Sequence, residues 1–201
     1  MDIVEEIKRW FYAAFHPQEV IAKESGKTDW GTGFIRVILA QLLVGISAGF
    51  GGFLLLLTVN PGAGLIAWLF TAIFTPIMGV IGWLIQAVFL FITAKILGGK
   101  ADFSKHTLDL TWVVAPIATL TAAVAWIPIA GKILGGLIGL YALYPLTIVL
   151  RETHEFSTGK AVLTWAIWAV ILIIIALIFA VALFAMFASL GMSAMQSTPT
   201  Y

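Results

Sequence analysis

The sequence predicts an all-α polytopic membrane protein, with five transmembrane helices and an N-terminal amphipathic interfacial helix. Three observations predict it. Hydrophobic residues make up 61% of the 201 and charged residues 10%, against about 45–50% and roughly 25% in soluble domains. The mean hydropathy is +1.06, and a chain with so few charges lacks the means to build a solvated shell. The apolar residues gather into five runs, and lysine and arginine collect on one side of them.

The first 33 residues form a cytoplasmic segment with an amphipathic helix over 2–15. Ile3, Val4, Ile7, Trp10, Phe11, Ala14 and Phe15 share one helical face, and Asp2, Glu5, Glu6, Lys8 and Arg9 share the other. Such a helix lies in the membrane surface, with Trp10 at headgroup level; packing on the cytoplasmic ends of the bundle is the alternative. The opening residues are acidic and lack an apolar core, so no cleavable signal peptide is expected. His16-Pro17 ends the helix.

The five spans form a domain over 34–187. In hydrocarbon every backbone polar group must be satisfied within its own segment, so a long apolar run is read as a helix. The runs are 34–59, 65–96, 107–127, 133–150 and 161–187. Asn60-Pro61-Gly62, Gly98-Gly99-Lys100-Ala101-Asp102, the turn at 128–132 and the polar break at 151–160 separate them. Residues 188–201 form a short extracytoplasmic tail. The second run would be about 48 Å long as a helix, against a hydrocarbon core of about 30 Å. It is either one helix kinked at Pro76 or two half-helices.

Charge sets the topology. The eleven cationic residues are Lys8, Arg9, Lys23, Lys27, Arg36, Lys95, Lys100, Lys105, Lys132, Arg151 and Lys160. Five spans with the N-terminus inside leave only Lys132 outside, whereas six spans divide the charges almost evenly. Cytoplasmic loops carry the excess of Lys and Arg, so five spans with a cytoplasmic N-terminus and an external C-terminus are expected. Arg36, near the inner end of the first span, can snorkel to the interface.

Within the spans three patterns stand out. Small residues at fourfold spacing (Gly131, Gly135 and Gly139, Gly45 and Gly49, and Gly79) predict faces on which helix backbones approach closely. Pro76, Pro116 and Pro145 each remove an intrahelical hydrogen bond and predict kinks. His106, Asp109, Arg151, Glu152, His154 and Glu155 form a candidate polar cluster at the cytoplasmic interface, with Asp109 the acid nearest hydrocarbon depth and Lys105 or Arg151 its expected partner.

Several function classes are excluded as expectations. Cysteine is absent, which removes thiolate ligands and nucleophiles. There is no nucleophile elbow, zincin pair, Walker A loop or Rossmann fingerprint, so no enzyme activity, cofactor or metal is expected. A net charge of +1 gives no reason to expect a nucleic-acid partner.

Residues 89–168 resemble the core of the Yip1-domain family, in particular its bacterial and archaeal members. The resemblance rests on Ala94-Lys95-Ile96-Leu97-Gly98-Gly99-Lys100-Ala101-Asp102-Phe103, then Trp112-Val113-Val114-Ala115-Pro116, then Ile127-Pro128-Ile129-Ala130-Gly131. It continues in the loop Glu152-Thr153-His154-Glu155-Phe156-Ser157-Thr158-Gly159-Lys160-Ala161. Thr111-Trp112 stands where Gly-Tyr is frequent, and the Asp-Leu-Tyr-Gly-Pro stretch of eukaryotic members is absent. The resemblance therefore implies the fold, the five-span topology and the setting in a prokaryotic cell membrane. It does not extend to the Rab-type GTPase binding of eukaryotic members. The expected function is a non-enzymatic, membrane-organising or partner-binding scaffold, in contact with the lipid bilayer and with a second copy or another membrane protein. The alternative is a small channel or secondary transporter on proline-kinked, glycine-rich helices.

Overall fold

The computed structural model describes residues 3–196, with side chains to 187. The helices in order are α1 (Ile3–Phe15), α2 (Pro17–Glu24), α3 (Trp30–Leu56), α4 (Pro61–Ile96), α5 (Phe103–Asp109), α6 (Thr111–Ala125), α7 (Ala130–Tyr141), α8 (Leu143–His154) and α9 (Thr158–Gln196). Among the described residues five helical stretches are long and apolar enough to cross a membrane: Trp30–Leu56, Pro61–Ile96, Phe103–Ala125, Ala130–His154 and Thr158–Phe187.

All five begin three or four residues before the corresponding apolar run, and polar caps start three of them. Asp29 accepts from Thr32 N at 3.0 Å and from the Thr32 hydroxyl at 2.6 Å, and these bonds hold its carboxyl below its usual pKa. Asn60 accepts from Ala63 N and Asp102 from Lys105 N, each satisfying a donor that the first turn leaves free. Pro61 occupies the first turn of α4, where no amide hydrogen is missed. Gly98 follows α4 at φ +88°, a left-handed position that favours glycine.

The second span is a single helix of 36 residues with Pro76 inside it, which decides between the two readings of that run. Pro116 likewise lies inside α6. Pro145 does not kink a continuous helix. The fourth span breaks at Ala142, and Pro145 sits in the first turn of α8. Its absent amide hydrogen coincides with that break.

The chain divides into two compact units, at residue 165. In the first, α6 packs against α3 on one side and α1 on another, with α7 and α8 adjoining, while α3 also packs along α4. The α3–α4 seam is built on small residues. A Cβ placed on Gly45 would lie 2.9 Å from the Thr71 carbonyl oxygen, and one on Gly49 3.0 Å from that of Trp68. Gly79 is covered by the side chain of Gln41, and Gly131 by the carbonyl of Val124 across the α6–α7 turn.

Gly135 and Gly139 are different. A Cβ at either meets nothing within 4 Å, so the close helix contact expected there is absent among the described residues. The turn at 128–130 rotates their face outward, alongside the exposed Ile133, Leu137 and Leu140.

The N-terminal helix also departs from expectation. Trp10 is fully buried, with Ala13, Ala14 and Glu6, where α1 meets α6. The apolar arc therefore splits. Trp10 and Ala14 turn inward, while Ile3, Val4, Phe11 and Phe15 stay about half exposed. A second helix, α2, starts at Pro17 and buries Ile21 completely, packing on α8.

The second unit, from residue 166 on, is the greater part of α9. Its side chains through Phe187 include exposed Val170, Ile173, Ile174, Leu177, Ile178, Val181 and Phe184. A helix apolar all round belongs in lipid. Helix continues to Gln196 where a tail was expected from residue 188, and residues 197–201 of that tail lie outside the described residues.

The glycine environments predict opposite outcomes for one substitution. Gly45→Leu and Gly49→Leu should destabilise by about 1–3 kcal/mol or more, since backbone atoms must move apart. Gly139→Leu should stay within about 0.5 kcal/mol of the parent. Unfolding midpoints in one detergent compare them directly; equal losses at Gly45 and Gly139 would contradict the packing described.

Candidate functional site

Polar chemistry concentrates where the start of α3, the end of α4, α5 and the end of α8 meet. At its centre is the α5–α6 junction, where the helix is interrupted at Leu110. His106, Thr107, Asp109 and Thr111 flank the break and are all fully buried. Between them they reach the α2–α3 linker, α3, α4 and α8.

Thr111 faces α3. Its hydroxyl accepts from Arg36 Nη1 at 2.9 Å and donates to the Leu108 carbonyl at 2.7 Å. Arg36 also pairs with Glu6 of α1, through Nη2 at 2.8 Å and Nε at 2.9 Å. Trp10 Nε1 donates to the same Glu6 oxygen at 3.0 Å, and the Arg36 guanidinium carbon lies 3.9 Å above the Trp112 ring. Arg36 is only 4% exposed. It does not snorkel, because a carboxylate from another helix comes in to meet it.

Asp109 joins three segments. It accepts from Ser25 Oγ at 2.7 Å and Gly26 N at 2.9 Å in the α2–α3 linker, and from Thr153 Oγ1 of α8 at 2.8 Å. Its partners are thus hydroxyls and an amide rather than Lys105 or Arg151. Gly26 stands at φ +75°, the conformation that presents its amide to the carboxylate.

His106 Nδ1 lies 2.8 Å from His154 Nε2, and His106 Nε2 lies 3.1 Å from the Ala87 carbonyl oxygen. A carbonyl only accepts, so His106 Nε2 carries the hydrogen. With both rings neutral, His154 Nε2 then donates to His106 Nδ1, and His154 Nδ1 keeps a bare lone pair. That nitrogen is buried and has no partner. Gly99 packs against it so closely that a Cβ there would lie 2.5 Å away. Trp83 Nε1 of α4 completes the ring of contacts by donating to the Thr107 carbonyl at 3.1 Å.

The structure therefore brings together three of the six residues of the expected cluster: His106, Asp109 and His154. Arg151 pairs with its neighbour Glu152 at 2.8 Å on the surface, and Glu155 pairs with Lys100 at 2.5 Å. That cation holds the Glu155 carboxyl below its usual pKa. Among the described residues no three His, Cys, Asp or Glu side chains converge as metal ligands.

A second feature was missed in the sequence. A cavity of about 380 Å³ lies between α3, α4 and α6, lined by Gln41, Gly79, Gly82, Trp83, Gln86 and Ile117 among others. The stretch around Pro116 forms one wall, where the transport alternative looks for a pathway. The signal was legible, since Gln41 and Gln86 are isolated amides in apolar runs. Glu6 was the other omission, being assigned to the solvated face of α1.

Removing one partner from a buried ion pair strands the other charge, which costs about 3–5 kcal/mol. Glu6→Leu should therefore lower the melting temperature sharply and release α1. Adding Arg36→Met to it should restore most of the loss, and a double variant no more stable than Glu6→Leu would remove the pair from this role.

Comparison with known proteins agrees with this architecture. No curated protein and no solved structure matches the chain. The model of the Yip1 domain matches residues 12–180, from the end of α1 through four spans and into most of the fifth. The chain belongs to the Yip1-domain family of integral membrane proteins.

Proposed function

We propose that this protein is a non-enzymatic membrane scaffold that presents its N-terminal helix pair to a membrane-protein partner or a second copy. One observation carries the reading: α1 is fixed to the bundle yet keeps the apolar edge of Phe11 and Phe15 exposed. Glu6–Arg36, Asp109–Ser25 and the bond from Tyr141 Oη to the Ala14 carbonyl at 2.6 Å hold the segment in place. Phe11 and Phe15 nevertheless remain 52% and 53% exposed. A rigidly mounted apolar edge loses little conformational freedom on docking. The buried Asp109 and His106 are engaged by the protein itself, which supports a structural use for them rather than a catalytic one.

In this reading the N-terminus is cytoplasmic and the membrane is that of a prokaryotic cell, an orientation supported by the lysine and arginine distribution. The absence of native cysteine makes the orientation measurable. Single cysteines at Gly62 and Lys132 should react with an impermeant thiol reagent added outside intact cells, and those at Lys100 and Thr158 should not. All four positions are exposed. Labelling at Lys100 from outside would reverse the orientation.

The docking role is tested with the full chain in its native membrane. A photocrosslinker at Phe11 should yield a discrete protein–protein adduct, whereas one at the buried Ala13 should crosslink within the chain. A nitroxide at Phe11 that is open to water, together with no adduct from Phe11, would rule the scaffold reading out.

A further inference from the structure

Gln41 of α3 and Gln86 of α4 are uncharged polar side chains within membrane-spanning helices, and both line the same cavity. A carboxamide offers two donor hydrogens and an acceptor oxygen. Among the described residues neither glutamine makes a hydrogen bond to the protein. Both are partly buried, in surroundings where an unpaired amide is costly and no bulk water compensates. The fold also makes room for them. Gln41 lies directly over Gly79, whose missing side chain lets the carboxamide fold inward, and a Cβ at Gly82 would meet nothing within 4 Å.

The other lining groups define what the space accepts. No charged side chain is among them, so an ion entering it would be desolvated without a counter-charge. Thr121 lines the same cavity, and its hydroxyl hydrogen is spent on the Ile117 carbonyl at 2.8 Å, leaving its lone pairs to accept. Trp83 has likewise committed its indole hydrogen, to Thr107, and presents apolar surface. The free hydrogen-bonding capacity is therefore mixed, donor and acceptor together, on an apolar wall. A hydroxyl group matches it because one oxygen both donates and accepts.

We propose that this cavity is a binding site for an uncharged, hydroxyl-bearing molecule of the glycerol type, held by Gln41 and Gln86. The glycerol unit comes either from a neutral glyceride of the bilayer or from a free polyol. This site is independent of the scaffold reading, since it involves none of the exposed residues of α1.

The test uses the purified full chain in phosphatidylcholine nanodiscs. The probe is a monoacylglycerol carrying a diazirine beside its ester, and the control is the matching methyl ester, which has no hydroxyl. The monoacylglycerol should label peptides of α3, α4 and α6 at the cavity at least tenfold more than the ester. Gln41→Leu and Gln86→Leu should each remove that excess without lowering the melting temperature, because leucine suits hydrocarbon. Gly82→Leu, which fills the space while leaving both glutamines in place, should remove it too and guards against a glutamine variant that fails to fold. Competition by excess free glycerol would assign the site to a free polyol, and its absence would assign it to a lipid. Equal labelling by the two probes, or labelling unchanged in all three variants, overturns the proposal.

Discussion

The interruption of the third span at Leu110 is the constraint on which the rest of this structure depends. Because the helix breaks there, buried polar groups from both sides of the junction bond to the α2–α3 linker, α3, α4 and α8. A polar group removed from water must find a partner or carry a desolvation cost. Each bond at this junction consequently selects one position for the element that supplies it. Asp109 holds the linker ahead of α3, Thr111 and Arg36 align α3 with α6, and the histidine pair closes α8 onto α5 and α4.

Two kinds of force divide the bundle between them. Toward the other ends of the helices, α3 and α4 are joined by close contact over glycines, where dispersion acts across backbones and lipid contributes no hydrophobic drive. At the polar end, hydrogen bonds and the buried Glu6–Arg36 ion pair take over. The Glu6–Arg36 pair is weak evidence for net stability, since desolvation offsets much of its attraction. Its effect is specificity: an arginine already enclosed by Thr111 and Trp112 tolerates only an α1 that brings a carboxylate to it. That turns an amphipathic segment into a fixed part of the Yip1 bundle, and it leaves the apolar edge of α1 in one defined place.

The amide groups of the two glutamines stand outside both systems. Gln41 packs over Gly79 in the α3–α4 contact, but the hydrogen-bonding groups of Gln41 and Gln86 face a cavity instead of a protein partner. Gly79 serves both packing and cavity, since the same missing side chain admits Gln41. A scaffold alone gives no physical reason to keep two unpaired amides at that depth.

By itself the sequence determined the helical class, the number and order of spans, and the turns between them. These follow from local properties: the length of an apolar run, a proline, or a polar residue at a cap. Its errors at this level were small and local, as at Asp29, Asn60 and Asp102, where the cap lies outside the apolar run it starts. Which residues meet was decided by tertiary structure alone. Arg36 and Thr111 are 75 positions apart, and Ala14 and Tyr141 are 127 apart, so no periodicity connects them. Glu6 and Trp10 are neighbours four residues apart on α1, yet nothing in the polarity of Glu6 marks it as buried; α6 and Arg36 enclose both. The glycines show the same limit, since Gly49 and Gly139 share a motif and differ only in whether another helix lies against them. An apolar run carries its own free energy of burial, whereas a contact belongs to two segments at once, and only the folded chain holds both.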